Sequence, residues 1–158
     1  MTKSVLIKSL LTAGALVAAQ VGFSVAFAAA PVTVINLTQT ACQFIETENG
    51  VDHGFRSTRK ADCKVINAKS GADRLARANI LELKPGKYIF RVTNKNVPYD
   101  LGFWLRGKGL GRITLPSVAG GGLAPGTTQD YTVELKAGEY VYSCPLNSTL
   151  NYSLVVTG

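Results

Sequence analysis

Beyond residue 30 the apolar positions of this chain come in short alternating runs, and each run ends near Gly, Pro or Asn. A period of two marks a strand with one face in a core, whereas a helix repeats its apolar positions every three to four residues. The pattern predicts strands over Val32 to Leu37, Cys42 to Glu46 (a second strand, or the first continued past a bulge), Asn79 to Leu83, Lys87 to Thr93 and Tyr99 to Leu105. It continues with Arg112 to Leu115, Thr128 to Leu135, Glu139 to Cys144 and Asn151 to Val156. Turns are predicted at Lys84-Pro85-Gly86, Gly107 to Gly111, Gly120 to Gly122, Pro125-Gly126 and Ala137-Gly138. Only Ala72 to Ala78 has helical spacing. Short strands with turns at regular intervals point to an all-β protein, a β-sandwich.

Residues 47–78 break the alternation. They are polar, carry Cys63 and the single histidine His53, and read as a long inserted loop. A loop of that length inside a compact domain is functional or pinned.

The first 28 residues have the form of a signal peptide. Lys3 and Lys8 precede an apolar stretch from Leu10 to Phe27, and Ala26-Phe27-Ala28 is a small-x-small cleavage site. Cleavage after Ala28 predicts a periplasmic or secreted protein without a stable membrane anchor, leaving one domain at 29–158. Loss of Lys3 and Lys8 leaves 15 Lys and Arg against 10 Asp and Glu. These cations are scattered rather than clustered, and no aromatic-interleaved basic module accompanies them, so nucleic acid is not an expected partner. A solvated basic face, or a docking surface for an acidic partner, accounts for the charge.

All three cysteines lie beyond the leader, in a chain bound for an oxidising compartment. The simplest partition is a Cys42–Cys63 disulfide with Cys144 left over. A second arrangement keeps the thiols reduced. Cys42 and Glu46, four apart on a strand, share a face, and with His53 and Cys63 they supply donors for copper or zinc. Cys144 with His53 and Glu46 is a further combination.

Two segments carry a family resemblance. Leu83-Lys-Pro-Gly-Lys-Tyr-Ile-Phe-Arg-Val-Thr-Asn94-Lys-Asn-Val-Pro98-Tyr99 resembles the strand, Asn-bearing turn and Pro-His of the cupredoxins, the blue-copper proteins. Ala137-Gly-Glu-Tyr-Val-Tyr-Ser-Cys144, with its loop and last strand, resembles the way that family presents its copper cysteine. The resemblance implies a cupredoxin-like Greek-key β-sandwich. Carried over position by position, the first His ligand falls on Tyr99, the Cys on Cys144, the second His on Asn147 and the Met on Leu150. A type 1 centre wants two imidazoles and a thiolate with a weak axial thioether, and one of four ligands is kept. The resemblance also implies a docking patch around the ligand loop, here Pro98, Tyr99, Pro145, Leu146 and Leu150.

Catalysis has no support in the sequence, since no nucleophile and base stand in a recognisable context. The glycine-rich stretches lack the strand-to-helix setting of a phosphate loop. The expected function is non-enzymatic. One form is atypical handling of copper or a similar metal, through Cys144 or the Cys42, Glu46, His53 and Cys63 group. The alternatives are a metal-free protein-interaction module, or an electron carrier with an unusual copper site.

Overall fold

Nine strands build two sheets in the computed structural model, which describes residues 31–158; the predicted leader lies outside the described residues. The first sheet has the order β2-β1-β4-β7, from β1 (Thr33–Thr40), β2 (Gln43–Phe44), β4 (Gly86–Asn94) and β7 (Thr128–Leu135). The second has the order β3-β9-β8-β5-β6, from β3 (Leu81–Leu83), β5 (Leu101–Gly107), β6 (Val118–Leu123), β8 (Gly138–Ser143) and β9 (Tyr152–Val156). β1 runs parallel to β4, and β3 parallel to β9; the other pairs are antiparallel.

Alternation along β4 buries Tyr88, Phe90 and Val92 against Tyr140, Tyr142, Tyr152 and Leu154 of the facing sheet. Phe44 and Phe103 sit at the centre of this core, in edge-on contact with each other at 6.2 Å between centroids. Such offset and edge contacts suit the ring quadrupoles.

Three sequence expectations are corrected. Residues 47–78 do not form a loop with one short helical stretch at 72–78. A 3-10 turn (Glu46–Glu48) leads into an extended segment and then an 18-residue helix, α1 (Lys60–Arg77). The Asp62 carboxylate starts α1 by accepting the N–H groups of Thr58 and Arg59, at 2.9 and 3.2 Å. Its buried face consists of Cys63, Gly71 and Arg74, residues that leave no apolar stripe for periodicity to detect. Residues Gly111–Thr114 form a helical turn, α2, instead of a strand. Gly120 to Gly122 lie within β6 instead of forming a turn. A Cβ on Gly102 of β5 would collide with the Gly120 carbonyl, so glycine there permits a close strand approach. Among the described residues no helix is long and apolar enough to cross a membrane.

Candidate functional site

The connection between β8 and β9, Cys144 to Asn151, closes one end of the sandwich. Cys144 is fully buried, and its Sγ accepts the N–H groups of Gly102 and Asn147, each at 3.3 Å. A bulge aims Gly102 at the sulfur: Gly121 and Gly122 of β6 together face Gly102 alone. The loop closes on itself, because the Cys144 N–H donates to Thr149 Oγ1 at 2.7 Å. Burial pushes the thiol pKa up despite the two N–H groups, which pull it down, so the neutral thiol is the resting form.

Asn147 is fully buried beside it. Its Nδ2 donates to the Thr40 carbonyl at 2.8 Å, and its Oδ1 accepts the Cys42 N–H at 3.1 Å and the Tyr99 hydroxyl at 3.3 Å. The Cys63 sulfur touches the same oxygen at 3.3 Å. Tyr99 also shares a hydrogen bond with Ser57 Oγ at 2.9 Å, and burial raises its pKa.

Helix α1 lies over this loop. Asn67 Nδ2 donates to the Ser148 carbonyl at 2.7 Å. Leu150 packs against Gly71, where an added Cβ would stand 2.8 Å from Leu150 Cδ2. The structure therefore brings Tyr99, Cys144 and Asn147 together and turns Leu150 towards the helix.

This set does not fit a type 1 copper ion. Leu150 has no donor atom, both polar ends of the Asn147 amide are engaged by the protein, and the thiol and phenol are both held in their neutral forms by burial.

The second candidate group is not assembled. Cys42 and Cys63 form a disulfide, which uses both sulfurs. The Glu46 carboxylate accepts the Thr38 N–H at 2.6 Å and the Thr38 hydroxyl at 2.7 Å. His53 pairs with Glu48 instead, Nε2 to Oε2 at 2.7 Å, and Cys144 lies in the ligand-loop core. Among the described residues no three His, Cys, Asp or Glu side chains are grouped to hold a metal ion.

Sequence reasoning missed a buried polar cluster that anchors α1. The Glu48 carboxylate accepts Arg74 Nε at 2.8 Å, Arg74 Nη2 at 2.6 Å and the Tyr152 hydroxyl. Arg74 also donates to Asn67 Oδ1 at 2.6 Å and the Cys42 carbonyl at 3.1 Å, and lies 4.8 Å above the Phe55 ring. Burial works against the Glu48 charge, yet the bonds from Arg74, Tyr152 and His53 outweigh it and hold the carboxyl below its usual range. No motif announces this cluster; its one trace is that Glu, His and Arg all occur in a segment lacking apolar anchors.

Of the five expected patch residues, Pro98, Pro145 and Leu146 are exposed, while Tyr99 and Leu150 are half-buried. Pro145 and Leu146 border an apolar groove that runs on to Trp104 and over Gly120 and Gly121. The Arg106 guanidinium stacks on Trp104 at 3.9 Å, in cation–π range.

No protein-family model matches the chain, and no curated protein matches it in sequence. Among solved structures, a multi-copper oxidase from Pediococcus acidilactici aligns at 14% identity with a TM-score of 0.40, over 89% of this chain and 29% of its own. Auracyanin B aligns at 13% identity with a TM-score of 0.50, over 83% of this chain and 93% of its own. At that identity the likeness to auracyanin B is one of fold, and it agrees with the two sheets described above: the chain has the cupredoxin-like β-sandwich fold.

Proposed function

We propose that this protein is an exported, non-enzymatic interaction module that uses the cupredoxin scaffold without a type 1 copper centre. The observation that carries the proposal is the Asn147 side chain. At the position corresponding to a copper imidazole, it joins the ligand loop to Thr40 and Cys42 instead. Helix α1, the disulfide and Asn147 do the cross-linking that a metal would otherwise do. The groove from Leu146 to Trp104 is the docking face. It suits a protein segment with an apolar centre and a carboxylate at its rim, because Arg106 stands on the Trp104 ring.

A competing reading has copper held by Cys144. The two N–H groups directed at Sγ favour it, but it requires the Tyr99–Asn147 bond to open and the buried thiol to ionise.

The test is titration of purified protein with Cu(I) and Cu(II), followed by metal content and absorption. We expect no stoichiometric copper, no thiolate charge-transfer band, and one free thiol on denaturation without reductant. Stoichiometric copper with a band that disappears in Cys144→Ser would overturn the proposal. For the docking face, a photo-cross-linker at position 146 should capture one discrete partner in cells. A cross-linker at position 134, exposed on the other sheet, should not.

A further inference from the structure

The opposite end of the sandwich carries a second surface. β5 runs from Leu101 beside the ligand loop to Gly107 at the far end, about 20 Å away at the rise of a strand. There the connection Lys108 to Ser117 holds Leu110 and Ile113, which are 86% and 87% exposed; among the described residues the next most exposed large hydrophobic, Val65, is 58% exposed. Scattered exposed aliphatics need no explanation, but these two share one tip and are almost wholly exposed.

The tip is rigidly held. The Lys108 N–H donates to the Glu139 carbonyl at 2.8 Å, Gly111 N–H to the Lys108 carbonyl at 3.0 Å, and Leu115 N–H to the Gly111 carbonyl at 2.9 Å. Leu115 then packs inward against Gly111 and Gly138. Leu110 and Ile113 are therefore presented outward by a braced turn.

Charge at this end has one sign in the connections. The β3–β4, β5–β6 and β7–β8 connections all lie here, and they contain Lys84, Lys108, Arg112 and Lys136 without one Asp or Glu. Among nearby strand residues, Glu139 is paired with Lys108 at 2.9 Å, Glu134 stands opposite Lys87, and Glu82 is exposed beside Lys84. Trp104 on the adjoining strand carries Arg112 at 5.4 Å. Val32, also exposed, leads into β1 at the same end.

From this geometry we propose that the tip is a membrane-surface anchor: Leu110 and Ile113 enter the acyl boundary of a bilayer while Lys84, Lys108, Arg112 and Lys136 meet anionic lipid headgroups. A convex aliphatic point with a cationic rim fits a soft, negatively charged surface, whereas protein hot spots favour aromatic anchors seated in pockets. Leu110, Ile113, Lys84 and Lys136 lie outside the docking groove, and the tip meets that groove where Arg112 reaches over Trp104, so the changes tested below leave the groove's lining in place.

The test is vesicle flotation of protein lacking residues 1–28, since both sheets, the core and the disulfide lie wholly within residues 31–158. Removing that segment also removes its own affinity for lipid. Phosphatidylcholine vesicles with admixed phosphatidylglycerol should carry the protein upward at low salt, and phosphatidylcholine alone should do so far less. Leu110→Ser with Ile113→Ser should weaken binding about tenfold or more. Lys84→Gln and Lys136→Gln should weaken it about fivefold each. No wild-type binding to anionic vesicles, or binding that the Leu110 and Ile113 changes leave intact, would overturn the proposal. A double variant that floats poorly while its circular dichroism and melting are unchanged supports it.

Discussion

Removing the Glu48 carboxylate is the sharpest probe of what holds α1 across the ligand loop. In Glu48→Leu, Arg74 loses both of its contacts to the carboxylate, at 2.8 and 2.6 Å, and keeps only Asn67, the Cys42 carbonyl and the Phe55 ring. The Tyr152 hydroxyl loses its acceptor as well. Both charged side chains are 3% exposed, so water cannot easily replace what is lost. Breaking a pair this deeply buried from one side costs about 3–5 kcal/mol. Against a total stability on the order of 5–15 kcal/mol for a domain, that is a large fraction. At roughly 4 °C per kcal/mol for this size, the melting temperature should fall by about 15 °C. The assay is urea unfolding of wild type, Glu48→Leu, Arg74→Met and the double variant. Because each single change strands a buried charge and the double change strands none, the double should lose less than the sum of the singles. A single-variant loss below about 1 kcal/mol, or strict additivity, would refute the buried-pair reasoning.

Three further outcomes are expected. Acid should weaken the protein through Glu48: its folded carboxyl lies below the reference value of 4.5, so the unfolded chain binds more protons there, and the stability present at neutral pH is lost as pH falls through the folded value. Unfolding curves across this range should be flatter for Glu48→Gln; an unchanged slope would count against it. Replacing Cys42 and Cys63 by Ser releases a loop spanning 21 positions and should cost about 3 kcal/mol, read from urea midpoints. Gly102→Ala places a Cβ against the Gly120 carbonyl and should cost about 2 kcal/mol by overpacking; a neutral result would show that β6 moves aside freely.

Where one face of a strand is buried, alternation made the element legible: β4, β7, β8 and β9 lie within a residue or two of their expected limits. The exceptions share a cause. Helix α1 buries a cysteine, a glycine and an arginine, so its contacts are covalent, steric and ionic, and none of these has a hydrophobic period. In β6 the glycines that suggest a turn serve the strand instead: Gly120 leaves room for the Tyr131 ring, and Gly122 takes a positive φ at the bulge. At the site, the family resemblance assigns Tyr99, Cys144 and Asn147 to ligand positions, and the expected oxidising compartment favours the Cys42–Cys63 disulfide that the structure contains. The bonding of Asn147 was not readable, because Thr40 and Cys42 are brought to it only by tertiary structure. Glu48 and Arg74 lie 26 positions apart, and no local rule links them.

The place of Asn147 between sulfurs has a consequence for oxidative folding. With three cysteines, the chain can form any of three single disulfides, and shuffling between them proceeds by attack of a thiolate on an existing S–S bond. In the folded protein the Asn147 side-chain oxygen lies against Cys63, while its backbone N–H engages Cys144. The same residue is thus interposed between the odd thiol and the completed bridge. Burial keeps that thiol protonated and a poor nucleophile. Once the ligand loop has closed, the correct bridge is guarded against exchange from within, and any isomerisation must occur before Asn147 takes its place.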